Sequence, residues 1–222
     1  MKKNGIEYNY GDSHFSKWID HPVLQRYLEP HRFYHGIDHI KYMFRQLNLL
    51  INSYVNLTDE ELECLSLMII YHDAVYNIPD PDRQNEIKSN ELFLKDYPDH
   101  EHRQLISDGI LATIDHKPSE SSHELIKIMC DLDLMGLSTP RSRYMNDVKL
   151  IKEFGVTDEE WLSGRGEWLE SFLDGRDKIF HHPAYDDFNH YTFEALNRQL
   201  EWFKSGNTEK YMELLNYTRE RS

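Results

Sequence analysis

Apolar residues in this chain recur at intervals of three and four. Ile37, Ile40, Phe44, Leu47 and Ile51 form one series, and Leu62, Leu65 and Ile69 form another that runs on to His72. That spacing collects side chains on one face of an α-helix, whereas a half-buried strand needs strict alternation. No stretch of strand-type residues alternates convincingly, so the expectation is an all-α protein. Caps and breakers mark the ends. Helices are expected over Asp12 to about Leu28, Tyr34 to about Tyr54, and a segment opened by Thr58. Others run from near Arg83 to before Pro98, then over His100–Asp115, Ser122–Leu137, Pro140–Phe154, Asp158–Leu173 and Asp186–Lys204, with a last one from Thr208. Thr58 with Glu61 has the spacing of a capping box, and Thr157 to Glu160 again reads as a helix start. Pro79 and Pro81 must break the helix before them. Gly164-Arg165-Gly166 reads as a weak point or a kink.

A length of 222 residues fits one domain. A metal-bearing core over about 30–137 with a helical cap over about 138–222 is the expected layout. The net charge of -14 argues against long nucleic acid and anionic membrane surfaces as partners. A small anionic substrate stays compatible, because a metal and a few arginines can make one pocket positive. Cys64 and Cys130 sit in apolar helical stretches and read as buried free thiols. The polar start of the chain does not resemble a signal peptide, and the apolar run near Leu65–Ile70 is too short to span a bilayer. The expected compartment is the cytoplasm.

Three features carry chemistry. His35 and His39 are four apart, a spacing that places two imidazoles on one helical face. His72-Asp73 closes an otherwise apolar helix, where an imidazole and a carboxylate cost desolvation unless something pairs with them. Asp131 and Asp133 interrupt a second apolar helix; two apart, they point in different directions, so one metal ligand is expected between them. Imidazole and carboxylate donors on facing helices suit a first-row divalent ion with open positions. His100, His102, His181 and His182 read as surface residues. Trp161, Trp168, Phe172, Trp202 and Phe203 read as packing residues, with one of them available as a wall for a base.

The order Tyr34-His35-x-x-x-His39, then His72-Asp73, then a later Asp-Leu resembles the HD superfamily of metal-dependent phosphohydrolases. The closer likeness is to the bacterial "predicted HD phosphohydrolase" group, over about Arg32 to Glu201. It rests on Arg32-Phe33-Tyr34-His35, Tyr71-His72-Asp73-Ala74-Val75-Tyr76, Asn85-Glu86-x-x-Ser89, Thr113-Ile114-Asp115-His116, Asp131 to Leu137, Gly164-Arg165 and Asn197 to Glu201. The resemblance implies an HD-like helical bundle with additional C-terminal helices. It implies a divalent metal (Mn, Mg, Co, Ni, Fe or Zn) on His39, His72, Asp73 and Asp133, with Asp131 as the alternative. The implied substrate is a nucleotide or other small phosphoester. His35 would be the general acid or, alternatively, a further ligand. Asp73 would accept a proton from metal-bound water, and Glu86 would be a base or an orienting group. Arg32 and Arg165 would contact substrate phosphate, and His116 a phosphate or a second ion. A nucleotide-binding sensor without turnover, or a diiron oxygenase, is the alternative reading.

Overall fold

Helix α3, Asp59–Tyr71, is buried at every position from Cys64 to Tyr71. An amphipathic stripe accounts for only half of that helix. A helix apolar all round must be enclosed by others, and α3 packs against α2 (Ile37–Ser53), α4 (Asn85–Asp96) and α5 (Arg103–Leu111). Gly109 permits the close approach of α5, since a Cβ there would stand 2.5 Å from the Met68 sulfur. Thr58 and Glu61 close the expected capping box at the start of α3.

The computed structural model describes residues 2–7, 13–80 and 84–221. The fold is all-α apart from one short hairpin. Two compact units divide the chain, residues 1–133 and 134–222. Among the described residues no helix is long and apolar enough to cross a membrane.

The first unit departs from expectation at several points. Strands β1 (Lys2–Lys3) and β2 (Ile6–Glu7) pair antiparallel, Lys2 with Glu7 and Lys3 with Ile6. Asn4 and Gly5 between them both take positive φ, 51° and 84°. Asn-Gly favours that two-residue hairpin turn, so the signal was present in the dipeptide. The first expected helix is two pieces. Helix α1, Ser13–Trp18, ends, and a 3₁₀ segment over Pro22–Leu28 follows. Pro22 has no N–H to continue a helix but suits the start of one, where the His21 ring accepts the Val23 amide at 3.3 Å. The expected start at Asp12, the break at Pro81 and the resumption near Arg83 lie outside the described residues. Helix α2 begins at Ile37, not Tyr34, with Gly36 as its N-cap. Its core face is Ile40, Met43, Phe44, Leu47 and Leu50, so Ile37 and Ile51 flank the stripe instead of belonging to it. Helix α5 starts at Arg103, leaving His100 and His102 in the preceding turn, half-buried, each 3.9 Å from a glutamate of α3. Helix α6 covers Glu124–Leu134. Cys64 and Cys130 are buried and free.

The second unit holds α7 (Pro140–Phe154), α8 (Asp158–Leu173), α9 (Asp186–Lys204) and α10 (Glu209–Arg219). Tyr144, Trp161, Tyr211 and Leu215 form its core. A buried polar chain threads it: Trp161 Nε1 donates to the Tyr211 hydroxyl, which donates to Asp147, both at 2.8 Å. Helix α8 runs unbroken through Gly164 and Gly166. No kink forms. His182 is buried, not a surface residue, and its ring accepts the Ala184 amide at 3.1 Å.

Candidate metal centre

His72 ends α3 at the bottom of the first unit's core. Its Nδ1 lies 2.9 Å from the Ile69 carbonyl, which fixes the ring and points Nε2 away from the helix. That Nε2 is buried and has no aligned hydrogen-bond partner. It lies 3.0 Å from Asp73 Oδ2 and 3.7 Å from Asp133 Oδ1. His39, in the first turn of α2, points its Nε2 at the same Asp133 oxygen, at 2.9 Å. Asp133, near the end of α6, receives His116 on its other oxygen at 2.8 Å.

His39, His72 and Asp133 each offer one ligand atom, all within 4.8 Å of one another. This cluster can hold a metal ion. Two imidazoles and a carboxylate suit borderline first-row divalent ions, and the orphaned Nε2 of His72 is the kind of atom such an ion satisfies. Asp73 stands beside His72 but outside the mutually close set. Of the two late aspartates, Asp133 joins the histidines. Asp131, two residues earlier on α6, is fully buried outside that set.

The charges couple strongly. Burial alone would lower the His72 imidazole, but the carboxylates of Asp73 and Asp133 outweigh it and push it up to about 9. Burial would raise both carboxyls. His72 holds Asp73 well below the usual carboxylate range, with His35 contributing, and His72, His116 and His39 do the same to Asp133.

His35 is not on helix α2. It lies in the bend before Gly36, so the four-residue spacing is not one helical face. The chain still brings its ring within 6.3 Å of the His39 ring, by stacking it on Tyr76 at 4.3 Å and against the edge of Tyr34 at 4.6 Å. Tyr34 and Tyr76 stand in the family-like motifs, but spacing gave them no role.

The segment after Asp73 is tied down from two sides. Arg32 donates from Nη1 to the Asp73 carbonyl at 2.6 Å, from Nη2 to the Ala74 carbonyl at 3.2 Å and from Nε to Glu29 at 2.8 Å. Its guanidinium also lies over the Tyr27 and Tyr76 rings. With its side chain 1% exposed, Arg32 braces the loop; it is not placed to bind substrate phosphate. Helix α4 holds the other side. Ser89 Oγ accepts the Val75 amide at 2.9 Å, and Asn85 accepts the Asn77 amide and donates to its carbonyl. Asp80 in turn accepts the amides of Gln84 and Asn85 at the start of α4. This arrangement puts Glu86 where it senses the charges of Asp73 and His72. Burial, then Asp73 and Asp80, raise its carboxyl, and its Oε2 is buried without a hydrogen-bond partner.

Arg165 is buried in the second unit, 3.3 Å from Asp147 and stacked on Trp168 at 4.3 Å. Its guanidinium faces that carboxylate and ring, and its buried Nε and Nη2 make no aligned hydrogen bond. His116 takes a left-handed backbone, φ 51°, and orients Asp133. Nothing in the local sequence signals that role. Comparison with family models, curated proteins and solved structures finds no match.

Proposed function

We propose that the chain is a metal-dependent phosphohydrolase of the HD type, cleaving a phosphoester of a nucleotide or other small phosphorylated molecule. The observation that carries this reading is the convergence of His39, His72 and Asp133, with the buried Nε2 of His72 also 3.0 Å from Asp73 and with His35 and Glu86 nearby. A divalent ion held there supplies a coordinated water of lowered pKa and polarises a phosphoryl oxygen.

The chain's own residues do the rest. Asp73, 3.0 Å from the His72 ring, is the proposed acceptor of a proton from the metal-activated water. Glu86 binds its proton more tightly than an ordinary carboxyl, which suits a group that takes and returns protons nearer neutral pH. His35, held between Tyr34 and Tyr76, is the proposed donor to the leaving oxygen. His116 and the Ile69 carbonyl orient Asp133 and His72.

The test is a screen of purified protein loaded with Mn, Mg, Co, Ni, Fe or Zn against a panel of phosphoesters. Turnover that needs both metal and Asp133 is expected. Zero turnover under every condition, with stoichiometric metal confirmed, would sink the hydrolase reading and leave a binding protein. His35→Ala should keep its metal and lose turnover; loss of metal instead would make His35 a ligand.

A further inference from the structure

The second unit contains a cavity of about 670 Å³ whose wall is formed by α7, α9, α10 and Arg221, two residues past α10. Its volume is in the range of about 300–1,000 Å³ typical of small-molecule sites. Five cations line it: Arg141, Arg143, Arg198, Lys210 and Arg221. Among the described residues no carboxylate lines it, in a chain whose net charge is -14.

The wall is also aromatic and has a polar floor. Tyr144, Trp202 and Tyr217 line it. Lys210 already lies over Trp202 at 5.8 Å and Arg221 over Tyr217 at 3.7 Å, so cations and ring faces alternate. Arg221 lies 3.7 Å from Glu220; among the described residues Arg198 and Arg143 form no ion pair. At the floor, Arg143 and Gln199 are 4% and 2% exposed. Arg143 spends Nη1 on the Leu137 carbonyl, and Gln199 spends its amide on the Tyr144 hydroxyl. Arg143 Nε and Gln199 Oε1 have no hydrogen-bond partner. Buried polar atoms without partners carry a desolvation cost unless a ligand or water meets them. One is a cationic donor and the other an acceptor. Both atoms are closed off from solvent, so a ligand in the cavity meets the exposed cations Arg141, Arg198, Lys210 and Arg221, which suit a phosphate.

We propose that this cavity binds a nucleoside monophosphate, with phosphate on the arginines and lysine and the base against Trp202 or Tyr217. Inorganic phosphate would use a fraction of the volume and none of the aromatic wall. Base stacking on an aromatic face adds roughly five- to 150-fold in nucleic-acid complexes, a gain that phosphate alone lacks. The site lies wholly within residues 140–221 and does not depend on the phosphohydrolase reading.

The test uses the full chain in EDTA, so that the metal centre is empty, with adenosine 5′-monophosphate, adenosine and inorganic phosphate as probes in calorimetry and tryptophan fluorescence. The monophosphate should bind at least tenfold more tightly than either fragment and quench fluorescence. Raising the salt should weaken it. Arg198→Glu, an exposed change that leaves the fold intact, should weaken it about tenfold or more. Trp202→Phe should lose most of the quench while binding persists. Asp133→Ala should bind as the unaltered chain does. Absence of binding at millimolar ligand overturns the proposal. So does indifference to Arg198→Glu, phosphate binding as tightly as the nucleotide, or loss of binding in Asp133→Ala alone, which would put the nucleotide at the metal centre.

Discussion

Asp133 is the residue on which the metal centre turns. Its two oxygens are held by imidazoles from different parts of the chain, and a third imidazole, buried, waits 3.7 Å away. Asp133→Ala should therefore lose stoichiometric metal, measured by elemental analysis after dialysis, whereas Asp131→Asn should keep it. The reverse pattern would make Asp131 the ligand. The same cluster sets a pH signature in metal-free protein. His72 is raised from 6.5 to about 9 on folding, so its contribution to stability is complete below about 6.5 and is lost as pH rises through 9. Asp73 and Asp133 are lowered from 3.8, so theirs is complete above that value and is lost as pH falls further. Melting temperature in EDTA should fall on the alkaline side between pH 6.5 and 9, and His72→Gln should flatten that limb. Metal binding needs neutral imidazole. Its affinity should rise with pH over the same window, the opposite slope, as titration calorimetry would show.

At the scale of elements, the helices are anchored by a few local devices and one brace. Thr58→Ala removes half of the capping box on α3 and should cost about 1 kcal/mol in chemical denaturation while leaving metal affinity unchanged. Arg32→Lys should do both harms. Lysine has no fork to reach the Asp73 and Ala74 carbonyls together. Hydrogen bonds from a charged group are worth about 1.5–3 kcal/mol, and losing a group that orients ligands typically weakens metal binding about 10–100-fold. A variant with ordinary metal affinity would show that the brace is only structural. Gly36 is the third fixed point. A Cβ there would stand 2.7 Å from the Arg32 carbonyl, so Gly36→Ala should destabilise by about 1–3 kcal/mol, read from the denaturation midpoint.

For the whole molecule, the ligands His39, His72 and Asp133 all lie in the first unit, residues 1–133. An ion at 100 times its dissociation constant should add about 2.7 kcal/mol to that unit. Hydrogen exchange with and without manganese should show new protection in α2, α3 and α6. Amides of α7, α8 and α10, whose buried network of Trp161, Tyr211, Asp147 and Arg165 is separate, should be unchanged. Protection spread evenly over all ten α-helices would mean the two units respond as one.

Periodicity and caps determined the helical class and the later helices, because Pro140–Phe154, Asp158–Leu173 and Asp186–Lys204 are set by local backbone chemistry that the sequence carries on its face. The same was true of candidate ligands, since imidazoles and carboxylates on apolar helices are conspicuous. Tertiary structure alone decided which of them meet. His35 reaches His39 through a bend and aromatic stacking, not along a helix. The choice between Asp131 and Asp133 depends on the rotation of α6 against α2 and α3, which no local spacing encodes. Arg32 and Arg165 looked alike as cations, yet both are buried: Arg32 spends its donors on two backbone carbonyls and becomes an internal brace, while Arg165 lies against Asp147 and Trp168. The His-x-x-x-His, His-Asp and Asp-Leu elements told which residues could do chemistry; the packing of three helices told which of them stand together.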